Sequence, residues 1–263
     1  MRKLIKLGFC FICYSTLLAQ DLSQDFKNWY LSSLSFKLSK RHTFSVGHLS
    51  SFDLTPNNYL HKFSQNQLNF SYRFSDQWIG SIGYAHSLIK GTKTRTPYGR
   101  VQAKLSHRVR WNHIRMTNCL RLEHNFTQLA KFQQRLILSN NFQYYNRNWP
   151  LRLSPFIKNQ VFYYQGGRPV KYWLPEEDSI EEGVAFIEQA PNGWHRYRLT
   201  LGVRARLRKR LYASAFYAIQ REFNTGLSPY RAIHVPNSSG RIIRSFNNYS
   251  LLGISLAYTI KLY

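Results

Sequence analysis

The chain has 263 residues, with 37 Lys plus Arg against 12 Asp plus Glu and a formal net charge of +25. Its mean hydropathy is −0.42, although 16% of the residues are aromatic. No run of 18 apolar residues follows the N-terminal segment, which excludes a helical membrane span. Only Cys119 lies beyond the first twenty residues, which excludes an internal disulfide in the processed chain.

The N-terminus reads as an export signal. Arg2, Lys3 and Lys6 form a positive region, and Leu7 to Leu18 form an apolar stretch too short to span a bilayer. Cleavage after Ala19 is expected, so residues 1–19 are a signal peptide and 20–263 a single barrel domain. Cys10 and Cys13 follow bulky Phe9 and Ile12, which does not suit a lipidation site. Without Arg2, Lys3 and Lys6 the charge is near +22. Such a charge commonly marks a nucleic-acid binder, but export argues against that partner.

Period-two alternation then gives eleven strand candidates in chain order. The first runs from Asn28 to Leu38 and the second from Thr43 to Phe52. The third, Phe63 to Phe74, sets Leu68, Phe70 and Tyr72 opposite Gln67, Asn69 and Ser71. The fourth is Trp78 to Leu88. In the fifth, Val101, Ala103, Leu105, Val109 and Trp111 alternate with Arg100, Gln102, Lys104, Ser106, Arg108 and Arg110. The sixth spans Arg115 to Phe126, the seventh Arg135 to Tyr145, and the eighth, of ambiguous facing, Leu151 to Tyr164 with Pro155 inside it. His195 to Leu207 is the ninth and Leu211 to Phe223 the tenth. The last, Tyr249 to Tyr263, puts Leu252, Ile254, Leu256 and Tyr258 on one face and small or polar residues on the other, and stops on an aromatic.

These segments run about 10–14 residues. A tilted membrane strand needs about 9–11, whereas strands of soluble proteins are typically about 5–6. Short connections at 39–41, 75–77, 112–114, 146–150 and 208–210 alternate with long ones at 53–61, 90–99, 166–194 and 224–248. That rhythm predicts an all-β, antiparallel transmembrane barrel in a bacterial outer membrane, with short periplasmic turns and long extracellular loops. Phe44, Phe74, Trp78, Trp111, Tyr144 and Trp149 beside the short turns suit an aromatic girdle. Single-chain bacterial barrels have even strand numbers, so eleven candidates predict twelve strands, with ten as the alternative. The extra strand is sought before Asn28 or within 166–194.

Several segments carry a resemblance. They are Asn28-Trp-Tyr30, the strand–turn–strand run Phe36 to Val46, Arg121-Leu-Glu-His124, Leu153-Ser-Pro-Phe-Ile157 leading to Val161-Phe-Tyr-Tyr164, and Arg196-Tyr-Arg-Leu-Thr-Leu-Gly202. Over most of the processed chain they resemble the Domain of Unknown Function 2490 family, barrels of Gram-negative outer membranes. The resemblance implies a location and a fold and brings no activity. Gln160 stands where an acidic residue is expected before Val161-Phe162.

The chemistry on offer is a basic lumen. Arg100, Lys104, Arg108 and Arg110 share the polar face of the fifth strand, Arg115 and Arg121 that of the sixth, and Arg196, Arg198, Arg204 and Arg206 that of the ninth. Glu123 and Glu222 are the expected inward carboxylates. Rings of Arg and Lys favour anions, so the leading expectation is a narrow channel or carrier for small anionic solutes or lipid-like ligands. The alternative is a closed structural or adhesion barrel working through its loops, its arginines paired with Glu123, Glu222 and loop acids. The acidic run Glu176, Glu177, Asp178, Glu181 and Glu182 in the longest loop reads as a solvated segment, with cation binding as the other possibility.

An enzyme is the third reading. It would need His86 with Ser87, or His195 with loop acids, at the rim. His48, His86, His107, His113, His124 and His195 fall on or near the apolar phase, and a bulge could turn His107 inward. No metal spacing, nucleotide loop or cofactor motif is present. Expected partners are outer-membrane lipids and lipopolysaccharide, small anionic solutes, and the barrel-assembly machinery through the last strand.

Overall fold

In a computed structural model, residues 25–55, 58–90, 95–146, 148–173, 186–225, 231–235, 241–242 and 244–263 are described. The expected signal peptide and the acidic run Glu176 to Glu182 lie outside them.

Thirteen strands occur among the described residues: β1 (Asp25–Lys37), β2 (His42–Thr55), β3 (Asn58–Arg73), β4 (Trp78–Lys90), β5 (Arg95–Trp111), β6 (Ile114–Asn125), β7 (Phe132–Tyr144), β8 (Ser154–Gly166), β9 (Val170–Trp173), β10 (Phe186–Gln189), β11 (Gly193–Arg208), β12 (Leu211–Glu222) and β13 (Tyr249–Lys261). Eleven of them close into a barrel in the order β1-β13-β12-β11-β8-β7-β6-β5-β4-β3-β2. The remaining two, β9 and β10, pair only with each other. The expected fold class is therefore present, with the eleven sequence candidates as its eleven staves.

The even-number argument fails for a specific reason. A ring of antiparallel neighbours needs an even count, but one parallel pair makes an odd ring close. That pair is β1 with β13, in unbroken register from Asp25↔Tyr249 to Lys37↔Lys261. Among the described residues neither suspected place holds a twelfth stave: β1 starts at Asp25, and Val170–Trp173 pairs only with Phe186–Gln189, as the separate β9–β10 ladder.

Two expected long loops are mostly strand. β2 and β3 stay paired out to Thr55↔Asn58, and β4 and β5 to Lys90↔Arg95. Asp53, Asn58 and Thr96 look like turn residues in sequence, yet in cross-strand pairs their backbone groups join the ladder. The barrel thus has a short-turn end, made by the β1–β2, β3–β4, β5–β6, β7–β8 and β11–β12 connections, and a long-loop end.

Large apolar side chains point outward along every stave, among them Leu68, Ile82, Leu105, Leu122, Leu201 and Ile254, each at least 40% exposed. Phe74, Trp78, Trp111, Tyr144 and Trp149 are exposed at the short-turn rim, as a girdle requires. His107 stays on this outer face. The registers through β4, β5 and β6 carry no bulge there, and its ring lies 4.5 Å from that of Trp78. The inward bulge falls instead at His195, between Trp194 and Arg196, and buries that ring against Tyr164.

Polar residues interrupt the outer face, and they satisfy one another. Asn140 donates to the Asn118 carbonyl at 2.9 Å, and Tyr197 donates to Asn159 at 2.7 Å. Replacing Asn140 alone by Leu leaves the Asn118 amide unpartnered and is expected to cost ~1 kcal/mol. Replacing both by Leu should restore or exceed the original stability. Equilibrium unfolding of the four species in lipid vesicles checks this; equal losses in the single and double variants would contradict it.

Eleven strands set an intermediate bore. Side chains can fill an eight-stranded barrel, while 16–18 strands leave an aqueous channel. Whether this lumen is filled therefore depends on the residues at each level. Phe132, Ile137, Phe162 and Tyr164 form one buried apolar cluster, and Ala218, Tyr249 and Leu251, with Trp29 and Phe216 against them, form another. Both lie toward the long-loop end of their strands.

Candidate functional site

The inward face carries the ten basic residues expected there, and they divide by height. At the long-loop half each carboxylate gathers cations. Glu123 takes Arg135 Nε at 2.8 Å, Arg121 Nε at 3.3 Å and Arg100 at 3.7 Å. Glu222 takes Arg196 Nε at 2.9 Å, the Tyr164 hydroxyl at 2.8 Å, the Asn247 backbone N–H at 2.9 Å, and the Lys131 ammonium. Lys131 precedes β7, three places round the ring from β12, so this ion pair straps the mouth. Burial holds its ammonium below the ordinary lysine range even with Glu222 beside it. A third inward carboxylate, Asp53, holds Lys27 at 3.1 Å and Lys62 at 3.5 Å.

These clusters join an unbroken belt around the lumen wall. Phe63 meets Trp29 edge-on at 6.4 Å, and Trp29 meets Tyr249 at 6.3 Å. The Arg198 guanidinium sits over Trp29 at 5.1 Å and Phe162 at 5.5 Å, and Arg135 covers Phe162 at 5.5 Å from the other side. Arg135 binds Glu123, Glu123 binds Arg100, and Arg100 donates to Gln65 at 2.9 Å, which returns the chain of contacts to β3. Arg198 is held further by Gln220 and by the Tyr249 hydroxyl at 2.9 Å. Planar guanidinium groups serve here both as forked donors and as flat lids on aromatic faces.

Above the belt the connections form a cap. The Arg244 side chain is 1% exposed and donates to the carbonyls of Ala232 and Arg168, tying the β12–β13 connection to the one after β8. Ile233 is fully buried and its N–H is bound by Asn224 at 2.8 Å. Arg168 N–H in turn binds the Leu129 carbonyl at 3.1 Å.

Below the belt the character changes. Lys104 points inward yet is exposed, so the lumen is open at its level. Lys158 lies within electrostatic reach of Arg121, Arg198 and Lys104. Neither lysine has a hydrogen bond or ion pair among the described residues. Nearer the short turns, Arg108 has Arg115 and Arg73 as neighbouring charges. Arg110 and Arg115 flank the Tyr145 ring at 5.9 and 5.7 Å, and Arg204 stacks on Tyr212 at 4.3 Å. Arg206 reaches the rim beside Trp149, Arg152 and Lys209. A vestibule of about 710 Å³ opens at this end, lined by Lys37, Lys40, Arg41, Arg73 and Asp76. Of the acidic side chains among the described residues, Asp76 alone lies at the short-turn end.

The ten predicted basic residues thus split into two sets. Arg100, Arg121, Arg196 and Arg198 are tied into the belt, while Lys104, Arg108, Arg110, Arg115, Arg204 and Arg206 face an acid-poor lower lumen. Glu123 and Glu222 anchor separate clusters. Sequence reading missed Lys158, Arg135, Lys131 and Asp53. The alternation Arg135, Ile137, Ser139, Asn141, Gln143 would have placed Arg135 inside. Lys158 needed the phase of β8, which Ser154, Phe156, Gln160, Phe162 and Tyr164 set inward. Sequence reading also gave no role to Trp29, Phe162, Tyr164 and Tyr249, which line the belt.

The suggested His86–Ser87 pair does not assemble, and the loop acids suggested for His195 lie outside the described residues. His86 and Ser87 are neighbours on β4 and point to opposite faces; Ser87 donates inward to Gln65. His195 is buried with Nδ1 at 3.1 Å from the Phe223 carbonyl. Comparison with known protein families finds no match for the chain, and comparison with curated proteins finds none either.

Proposed function

We propose that the chain is an outer-membrane barrel of the kind described by the Domain of Unknown Function 2490 family, whose basic lumen takes up small anions. The observation that supports this most is the lower lumen. It is open, lined by Arg and Lys, and faced by a single acidic side chain at its mouth. Such a charge ring lowers the energy of an anion inside a narrow bore and raises that of a cation. The apolar outer wall, the short-turn girdle and the strand lengths support insertion in a bilayer. In this reading short turns face the periplasm, lipids and lipopolysaccharide surround the wall, and the last strand is presented to the barrel-assembly machinery. Export follows from the N-terminal signal read in the sequence.

The cap makes passage conditional, so the barrel acts as a carrier or gated path rather than an open pore. The test is the reversal potential of the folded barrel in planar bilayers under a salt gradient. Anion selectivity is expected, and the double change Arg204→Glu with Arg206→Glu should shift the potential toward cation selectivity. A current indifferent to that reversal would remove the reading. The cap favours a second reading, a closed barrel that acts through its connections. In that case deletions within 174–185 would abolish binding of a surface partner and leave the lumen's ion response unchanged.

A further inference from the structure

We infer that the lumen holds a specific site for a compact, multiply charged phosphate-type anion, with Lys104 and Lys158 as its ligands, just below the arginine–aromatic belt. This rests on the reading of the lumen as an anion path and gives that path a binding station.

Four basic side chains gather at this level: Lys104 stands opposite Arg121 in register, and Lys158, opposite Thr200, is one inward position from the Arg198–Gln160 pair and within electrostatic reach of all three. Arg108 adds a charge beside Lys104 from below. Arg121 and Arg198 are positioned by Glu123 and by Gln220 with Tyr249. The two lysines are not positioned by anything among the described residues. Like charges gathered in a bore repel one another more strongly than in bulk water. Each lysine presents three donors and no acceptor, so only an oxygen-rich anion can satisfy both. A singly charged ion offsets one of the four charges, whereas phosphate or diphosphate offsets two or more and offers several oxygens.

The site also has an approach. The vestibule residues Lys37, Lys40, Arg41 and Arg73 form a positive funnel at the short-turn end. Every stave is hydrogen-bonded on both sides, so the wall gives no lateral way in from lipid. The occupant is therefore a soluble anion.

Cys119 supplies a native reporter. It lies on the same inward face, opposite Ser106 and Ser139 in register, and within electrostatic reach of both lysines. In the folded full barrel, an anionic methanethiosulfonate should modify Cys119 faster than a neutral one of similar size, followed by mass spectrometry of the Cys119 peptide. Pyrophosphate should slow that reaction about tenfold, and succinate should not. The double variant Lys104→Gln, Lys158→Gln should lose both the charge preference and the protection. Heat-modifiable gel mobility establishes that each variant is folded.

Equal rates for the two reagents with no protection by pyrophosphate overturn the site. Equal protection by succinate overturns its phosphate character. If the barrel is still anion-selective in bilayers in either case, only the site falls and the broader anion path stands. Loss of selectivity as well removes both.

Discussion

Replacing Glu222 by Gln will destabilise the barrel by ~3–5 kcal/mol and loosen its long-loop mouth. The carboxylate is fully buried and binds Arg196, Lys131, Tyr164 and the Asn247 backbone at once. Glutamine keeps the shape but removes the charge, so two buried cations lose their counter-ion. The variant should unfold at lower urea in lipid vesicles and show a larger bilayer conductance, because Lys131 no longer straps β7 to β12. Adding Lys131→Met should recover part of the stability, since one uncompensated cation is removed, without restoring the strap. Stability unchanged by Glu222→Gln would show that the cluster is hydrated and not a closure.

The second large effect is steric. Gly202, Phe216 and Gly253 sit side by side on β11, β12 and β13. The Phe216 ring lies over the glycine on β13, and its Cβ stands 2.7 Å from where a side chain at Gly202 would begin. A Cβ at Gly253 would stand only 2.1 Å from the Cζ of that ring. Gly253→Leu is therefore expected to cost about 3 kcal/mol and to deplete the compact, heat-modifiable band on gels. Phe216→Ala, placed in the same chain, should restore most of the loss, with a coupling well beyond additivity. Purely additive losses would mean that the ring moves aside freely.

The barrel wall was legible because alternation is a local signal. Every inward Arg of the fifth, sixth and ninth candidates lies in the lumen, since a strand with period two leaves no other place for it. What failed was non-local. The parallel β1–β13 contact joins residues more than two hundred positions apart, and nothing near Asn28 or Leu252 announces it. Asp53 was read as loop because its residue type favours turns, while its burial depends on Lys27 of the neighbouring strand. Lys158 was missed because Pro155 and mixed polarity blurred the phase of its strand. The division of the lumen into a neutralised upper half and an unneutralised lower half was also out of reach. It depends on which strand levels coincide around the ring, and stagger is set by closure rather than by any one segment.

The parallel seam also governs how this chain could be rewired. In a barrel of antiparallel neighbours throughout, the first and last staves begin and end at one rim, and a tight turn can join them. Here β1 begins at the long-loop rim and β13 finishes at the short-turn rim. Thirteen residues of strand separate those levels, roughly 40 Å at about 3.3 Å per residue. A circular permutant would thus need a linker of about a dozen extended residues running the height of the wall. Such a tether would either thread the bore, and obstruct it, or cross the greasy exterior with its backbone amides unsatisfied. New ends can be cut at any short turn, but the old ones cannot be cheaply sewn together.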